Sequence, residues 1–191
     1  MPEVFLSMSM SLDGFIAAEN RSPEHPLGEN GMRLHNWLFH EQTQVDGEVA
    51  RQLFSETGAV IVGWRTYIDA IHDGWGSKNP YGVPVFVVCR RTPSERDQIG
   101  GFNFVTSGIA DALALARTSA GDKKIWLQGG ANVAQQFLRD GLLDELHIHL
   151  APILLGKGLR LFDQLGKTVE LEAIDALRTP GATHLKFRVR R

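Results

Sequence analysis

The sequence predicts an α/β domain built on a mostly parallel sheet with helices covering both faces, and three observations predict it. Short apolar runs rich in strand formers alternate along the chain with segments of helical period. Glycines stand where a strand gives way to a helix, most plainly at Gly129-Gly130 and at Gly63. The last two strand segments follow one another as a hairpin does.

Taken in order, Glu3 to Met10 carries Val4, Phe5, Leu6 and Met8 and suits a buried first strand. The chain turns at Asp13-Gly14 and re-enters an apolar segment at Phe15-Ile16-Ala17. Asp13 reads either as the maker of an Asx-type turn or as a carboxylate facing a cleft. Residues 19 to 40, with Pro23, Pro26 and Gly28, follow neither period and read as a long surface loop, either a lid or flexible decoration. From about Asp46 the apolar residues Val45, Val49, Leu53 and Phe54 recur with helical period. Asp46 and Glu48 near its start favour the helix dipole, and either carboxylate would also grip a nitrogen heterocycle if the helix flanks a cleft.

Gly58 to Val62 is a second apolar strand, ended by Gly63 and followed by a helix from Arg65 to about Ile71. Arg65 and Thr66 place a cation and a hydroxyl at that helix start, both partners for a phosphate oxygen. Asp73 to Val83 reads as a loop. Pro84 to Cys89 is a third strand, and Arg90 and Arg91 at its exit either hold a terminal phosphate or form a solvated basic turn. A short strand at 102–105 and a helix at 110–120 lead to the strand Lys124 to Gln128. There Gly129 and Gly130 turn the chain into a helix over 132–140, and the free N–H groups of its first turn, at Ala131 and Asn132, aim above the strand. Paired glycines are also compatible with a merely tight turn. In Leu146 to Leu150, His147 and His149 share one face, which reads as solvated or as an interface because no third metal ligand accompanies them. A glycine-punctuated apolar loop follows at 152–162, and strands at about 168–175 and 182–190 close the sheet.

The 191 residues fit one domain, residues 1–191, and 43% hydrophobic with 22% charged residues is an ordinary globular balance. Twenty basic against twenty-two acidic residues give a net charge of −2, which offers no global field for nucleic acid or an anionic membrane, so an anion site must be local. The single Cys89 excludes an intrachain disulfide and a thiolate metal cluster and fits a reducing compartment, the cytoplasm. The N-terminal run carries neither an export pattern nor a membrane span.

Five stretches in one order, Ser11-Leu12-Asp13-Gly14-Phe15-Ile16-Ala17, Gly58 to Thr66, Gln128-Gly129-Gly130-Ala131, Leu143-Asp144-Glu145-Leu146 and Pro152 to Gly158, resemble the dihydrofolate-reductase-like superfamily. The group they resemble most is the C-terminal reductase domain of riboflavin-biosynthesis deaminase-reductases and its stand-alone bacterial relatives, over about residues 3 to 190. The resemblance implies a three-layer fold, a central mixed sheet with flanking helices and an antiparallel C-terminal edge, and NADPH as cofactor. It implies that Gly63, Arg65, Thr66, Gly129, Gly130, Ala131 and Asn132 meet the cofactor phosphates and that Arg90 and Arg91 select the 2′-phosphate. Ile16 and Ala17 would lie beside the nicotinamide. The implied reaction is hydride transfer to 5-amino-6-(5-phosphoribosylamino)uracil or a related aminopyrimidine, with Asp13 the first candidate for the polar contact to substrate and Asp46 and Glu48 behind it. Folate reduction and a non-catalytic NADP(H)-binding module are the alternatives. The zinc-binding deaminase half is absent from the sequence, Trp64 stands where a second arginine is common, and a homodimer is expected.

Overall fold

The computed structural model describes residues 1–72, 74–76 and 78–190. The strands are β1 (Val4–Ser11), β2 (Phe15–Ala17), β3 (Thr57–Gly63), β4 (Val85–Val88), β5 (Phe102–Val105), β6 (Lys124–Gly129), β7 (Glu145–Ala151), β8 (Leu159–Arg160), β9 (Leu171–Arg178) and β10 (Thr183–Val189). The helices are α1 (Asn36–Phe39), α2 (Gln44–Glu56), α3 (Trp64–His72), α4 (Ile109–Ala120) and α5 (Ala131–Arg139).

Eight strands form one sheet in the order β5-β4-β3-β6-β1-β7-β10-β9. The pairs from β5 to β7 are parallel, while β10 runs antiparallel to both β7 and β9. The sheet is therefore mostly parallel with an antiparallel edge, as expected. Strand alternation divides the core between two faces. Val4, Leu6, Ile61, Ile125 and Leu127 pack with Leu113 and Ala116 of α4 and Phe137 of α5. Phe5, Val60, Val62, Val87 and Trp126 pack with Leu53 of α2 and Tyr67 and Ile71 of α3. Helices thus cover both faces of the central strands, and every residue of β3 is buried.

Four expectations are corrected. The buried side of α2 is not the Val45–Phe54 stripe: Val45 and Phe54 are exposed, whereas Asp46, Gly47 and Leu53 are buried. The helix turns this way because the Asp46 carboxylate accepts inside from the Thr43 N–H, the Thr43 and Thr179 hydroxyls and His184 Nε2. The segment 19–40 is not a plain surface loop, since a 3₁₀ turn at Gly31–His35 and α1 set Leu34 and Trp37 into the core. His147 and His149 do not face solvent or a partner; only 8% and 3% of their surfaces are exposed. Strand β9 also begins three residues later than expected, at Leu171. Of the loop expected at Asp73 to Val83, Asp73 and Ser77 lie outside the described residues.

Candidate active site

The parallel strands β3, β4 and β6 deliver their carboxyl ends to one side of the sheet, where such folds open a crevice. A cleft of about 2340 Å³ lies there, well beyond the roughly 300–1000 Å³ of a pocket for one small molecule. Ten of the residues expected to meet a cofactor line it: Ile16, Ala17, Gly63, Arg65, Thr66, Arg90, Arg91, Gly130, Ala131 and Asn132.

Helices α3 and α5 both begin in this cleft, so their unpaired N–H groups and positive dipole ends share it. The two helix starts meet closely. A Cβ on Gly130 would stand 2.9 Å from Thr66 Oγ1, so only glycine lets the β6 turn lie against α3 without displacement. Gly129, with φ of 110°, sits just behind this surface against Met8, where an added Cβ would come within 2.5 Å of the methyl. Arg90 and Arg91 are exposed on the cleft rim after β4. The Arg65 side chain is turned to Asp69, with Nε 3.2 Å from the carboxylate, and Asp69 also pairs with Arg21. That second pair fastens the 19–30 segment to α3.

Asp13, Asp46 and Glu48 are not among the residues lining the cleft. Asp13 holds the glycine-punctuated loop: its carboxylate accepts from the Ser11 hydroxyl (2.5 Å), Leu155 N–H (3.1 Å) and Gly156 N–H (2.7 Å). Its partial burial raises the carboxyl pKa, but these hydrogen bonds outweigh that and leave it lowered. The turn-making reading of Asp13 is the one its placement supports. Glu48 is exposed on α2 and accepts from Gln44 Nε2 at 2.9 Å. Asp46 points the other way, into the core, and reaches the cleft only through other side chains.

Sequence reasoning missed the polar groups on the cleft walls. Among the described residues, His35 Nδ1, Trp126 Nε1 and Gln128 Oε1 are buried without a hydrogen-bond partner, and all three residues line the cleft. Buried polar atoms are nearly always paired, so three such orphans in one cleft are what a polar ligand would satisfy. Burial alone pushes the His35 ring down to about 4, which leaves it neutral at neutral pH. Trp37, from the same segment, lines the cleft and donates from Nε1 to Ser9 Oγ at 2.9 Å. Only the Gln128 position carried a sequence signal, as the last polar residue before the glycines.

The family model of the RibD C-terminal domain matches residues 2–185. The chain belongs to the RibD C-terminal domain family. Within reach of this family, the uncharacterized protein YyaP of Bacillus subtilis strain 168 is 26% identical over 181 residues, covering 90% of this chain and 86% of YyaP. The riboflavin biosynthesis protein RibD of Corynebacterium ammoniagenes is 27% identical over 166 residues. That match takes in 83% of this chain but 45% of the relative, so the RibD C-terminal domain family member described here spans about half of that protein. Among solved structures, a candidate riboflavin biosynthesis protein of Shewanella sp. PV-4 superposes with a TM-score of 0.77 at 24% identity over 100% of both chains. Dihydrofolate reductase of Enterococcus faecalis superposes with a TM-score of 0.65 at 12% identity, over 99% of this chain and 97% of that one. The RibD C-terminal domain fold is thus dihydrofolate-reductase-like, with its three layers and antiparallel edge.

Proposed function

We propose that the chain is an NADPH-dependent reductase acting on a small heterocycle, with 5-amino-6-(5-phosphoribosylamino)uracil or a related aminopyrimidine as the first substrate to test. One observation carries this reading: the α3 and α5 N-termini, the Arg90–Arg91 pair and the three orphaned polar atoms open into a single cleft. The donor set fits such a cofactor. Backbone N–H groups at Arg65, Thr66, Ala131 and Asn132, with the Thr66 hydroxyl, match a pyrophosphate, and the guanidinia of Arg90 and Arg91 match a further phosphate. Gly130 puts no side chain against Thr66 where the two helix starts meet, and Ile16 and Ala17 offer a nearly dry wall to a nicotinamide ring. When bound, NADPH supplies the hydride. The chain's own part is to hold donor and acceptor in contact, exclude water and provide a proton. The remaining wall, with Trp37, His35, Trp126 and Gln128, is where an aromatic, hydrogen-bonding acceptor would sit.

The proposed enzyme works as one domain, in the cytoplasm, as a homodimer. Pairing is supported by the edge strand β9, where Leu171, Ile174 and Leu177 are 40–41% exposed on an uncovered strand. No helix among the described residues is long and apolar enough to cross a membrane.

The deciding experiment is a thermal-shift titration with NADPH and NADH side by side, followed by cofactor oxidation in the presence of aminopyrimidine ribose phosphates and of dihydrofolate. Selective stabilisation by NADPH and its oxidation with an aminopyrimidine support the proposal. Oxidation only with dihydrofolate would move the activity to folate reduction, and stabilisation without turnover on any acceptor would leave a binding module. No shift with either nucleotide overturns the cofactor assignment.

A further inference from the structure

Four polar side chains from four separate elements form one hydrogen-bonded line from the core to the cleft. Asp46 Oδ1 on α2 is 2.8 Å from His184 Nε2 on β10. His184 Nδ1 is 2.8 Å from His149 Nδ1 on β7, and His149 Nε2 is 2.9 Å from Ser7 Oγ on β1. All four residues are buried, and the two at the outer end, His149 and Ser7, line the cleft. Trp37 packs against both rings, tilted over His149 with centroids 4.5 Å apart and edge-on to His184 at 4.9 Å.

The distances settle what the line is. Two imidazole nitrogens 2.8 Å apart share a proton; a tetrahedral zinc would hold them about 3.3 Å apart. The carboxylate can only accept, which fixes the tautomers of the neutral line. His184 donates from Nε2 to Asp46 and accepts at Nδ1; His149 donates from Nδ1 and accepts at Nε2; Ser7 donates inward. One added proton reverses the order outside His184. His184 then carries hydrogen on both nitrogens, His149 becomes the Nε2–H tautomer and donates to Ser7 Oγ, and the Ser7 hydroxyl turns outward as a donor to the cleft. The charge rests on the ring that faces the Asp46 carboxylate, and His149 stays neutral throughout. Burial, with the nearby His184, His147 and His35 adding to it, holds the His149 pKa well below the ordinary range, which agrees with a ring that passes a proton without keeping it. The other titratable groups nearby are His35 on the turn before Trp37 and His147, which is engaged with Glu145; Lys186 on β10 faces that same glutamate.

We propose that Asp46, His184, His149 and Ser7 are a proton relay, and that Ser7 Oγ–H is the group that protonates the acceptor in the cleft. This rests on the reductase reading, because a hydride added to the carbon of a C=N bond leaves an electron pair on nitrogen that must take a proton. The balance closes. The acceptor gains a hydride from NADPH, which leaves as NADP⁺, and a proton from Ser7 Oγ. Ser7 regains its proton from His149 Nε2, and His149 regains its own from His184 Nδ1. The His184 cation becomes neutral and is recharged from solvent after product leaves. Ser7 is the catalytic residue here, and the two histidines and Asp46 act through it.

Two measurements test this. Nitrogen-15 NMR of the histidine rings, on the protein without substrate, reads tautomers directly. As the sample is titrated from alkaline to acidic pH, His149 is expected to change from Nδ1–H to Nε2–H without becoming cationic. In turnover, Ser7→Ala is expected to lower kcat about 100-fold and to abolish its decline at high pH, with KM for NADPH held within about twofold; Ser7→Thr, which keeps a hydroxyl, restores both. A His149 ring that keeps one tautomer across the range overturns the relay whatever the cofactor does, and so does an unchanged kcat–pH profile in Ser7→Ala. A tautomer change in a protein that NADPH does not stabilise overturns the reductase reading, and with it the relay's assignment to that reaction.

Discussion

Asp46 Oδ1 lies 2.8 Å from His184 Nε2, a contact that ties the first turn of α2 to the last strand across 138 residues of chain. The same carboxylate closes a capping box with Thr43 and accepts from the Thr179 hydroxyl. Asp46→Ala therefore removes the reciprocal half of the capping box and strands His184 Nε2, while the Thr179 hydroxyl keeps Ala182 O as an acceptor. The half-box and the stranded imidazole each cost about 1 kcal/mol, so urea unfolding at neutral pH should show a loss near about 2 kcal/mol. A loss under about 1 kcal/mol would mean that water or a rearranged side chain takes over the role.

Glu145 gives the fold an acid-sensitive point. Its carboxyl is held down to about 2, first by the hydrogen bond from His147 and, against the opposing effect of burial, by Lys124 at 2.9 Å and the charge of Lys186. Its unfolded value is near 4.3, so the folded pKa is depressed and the stabilisation is fully present above about pH 5. It is lost as pH falls through about 4 toward 2. Asp46 acts in the same direction, because its hydrogen bonds more than offset the burial that raises its pKa. Glu145→Gln should flatten the fall in urea midpoint between about pH 5 and pH 3, with a lower midpoint at neutral pH by the equivalent of about 2 kcal/mol. Equal slopes in the two proteins would assign the acid sensitivity to other carboxylates.

How far the sequence could be read depended on whether the relevant residues were near one another in the chain. The glycine turns and the helix starts are local, so Gly63, Thr66, Gly130 and Ala131 could be placed at strand-to-helix turns from periodicity and turn chemistry, and all four line the cleft. Alternation placed His147 and His149 on one face but could not tell that it is covered, because Trp37, which covers His149, comes from a segment that shows neither period. Asp46 illustrates the same limit: its neighbours in sequence explain a helix cap, whereas its partners Thr179 and His184 lie more than 130 residues away. Asp13 could be read two ways from residues 11–17 for a related reason, since the loop it holds at 155–156 is invisible from there.

The Arg90–Arg91 pair should decide between the two nicotinamide cofactors. Charge-assisted hydrogen bonds to a phosphate contribute about 1.5–3 kcal/mol, which corresponds to roughly a tenfold to hundredfold change in affinity. The double change to alanine is expected to weaken NADPH by that factor while leaving NADH within about threefold, and added salt should narrow the gap for the native protein. Equal weakening of the two nucleotides would place the arginines elsewhere on the ligand or outside the site.

The close approach of Gly130 to Thr66 can be tested without any ligand. Gly130 has φ of −81°, so alanine meets no penalty from its own backbone angle. The penalty comes from the neighbour, because the new Cβ would stand 2.9 Å from Thr66 Oγ1. Gly130→Ala should lower stability by about 1–3 kcal/mol, the usual cost of forcing a methyl into a packed site. Thr66→Ala removes the opposing hydroxyl, so the double variant should be more stable than the sum of the single losses predicts by about 1 kcal/mol. Strict additivity would show that the β6 turn yields by moving away from α3 as a body. In that case Gly130→Ala should instead widen the gap between the two helix N-termini and weaken the binding of a pyrophosphate, measurable as a smaller thermal shift with NADPH.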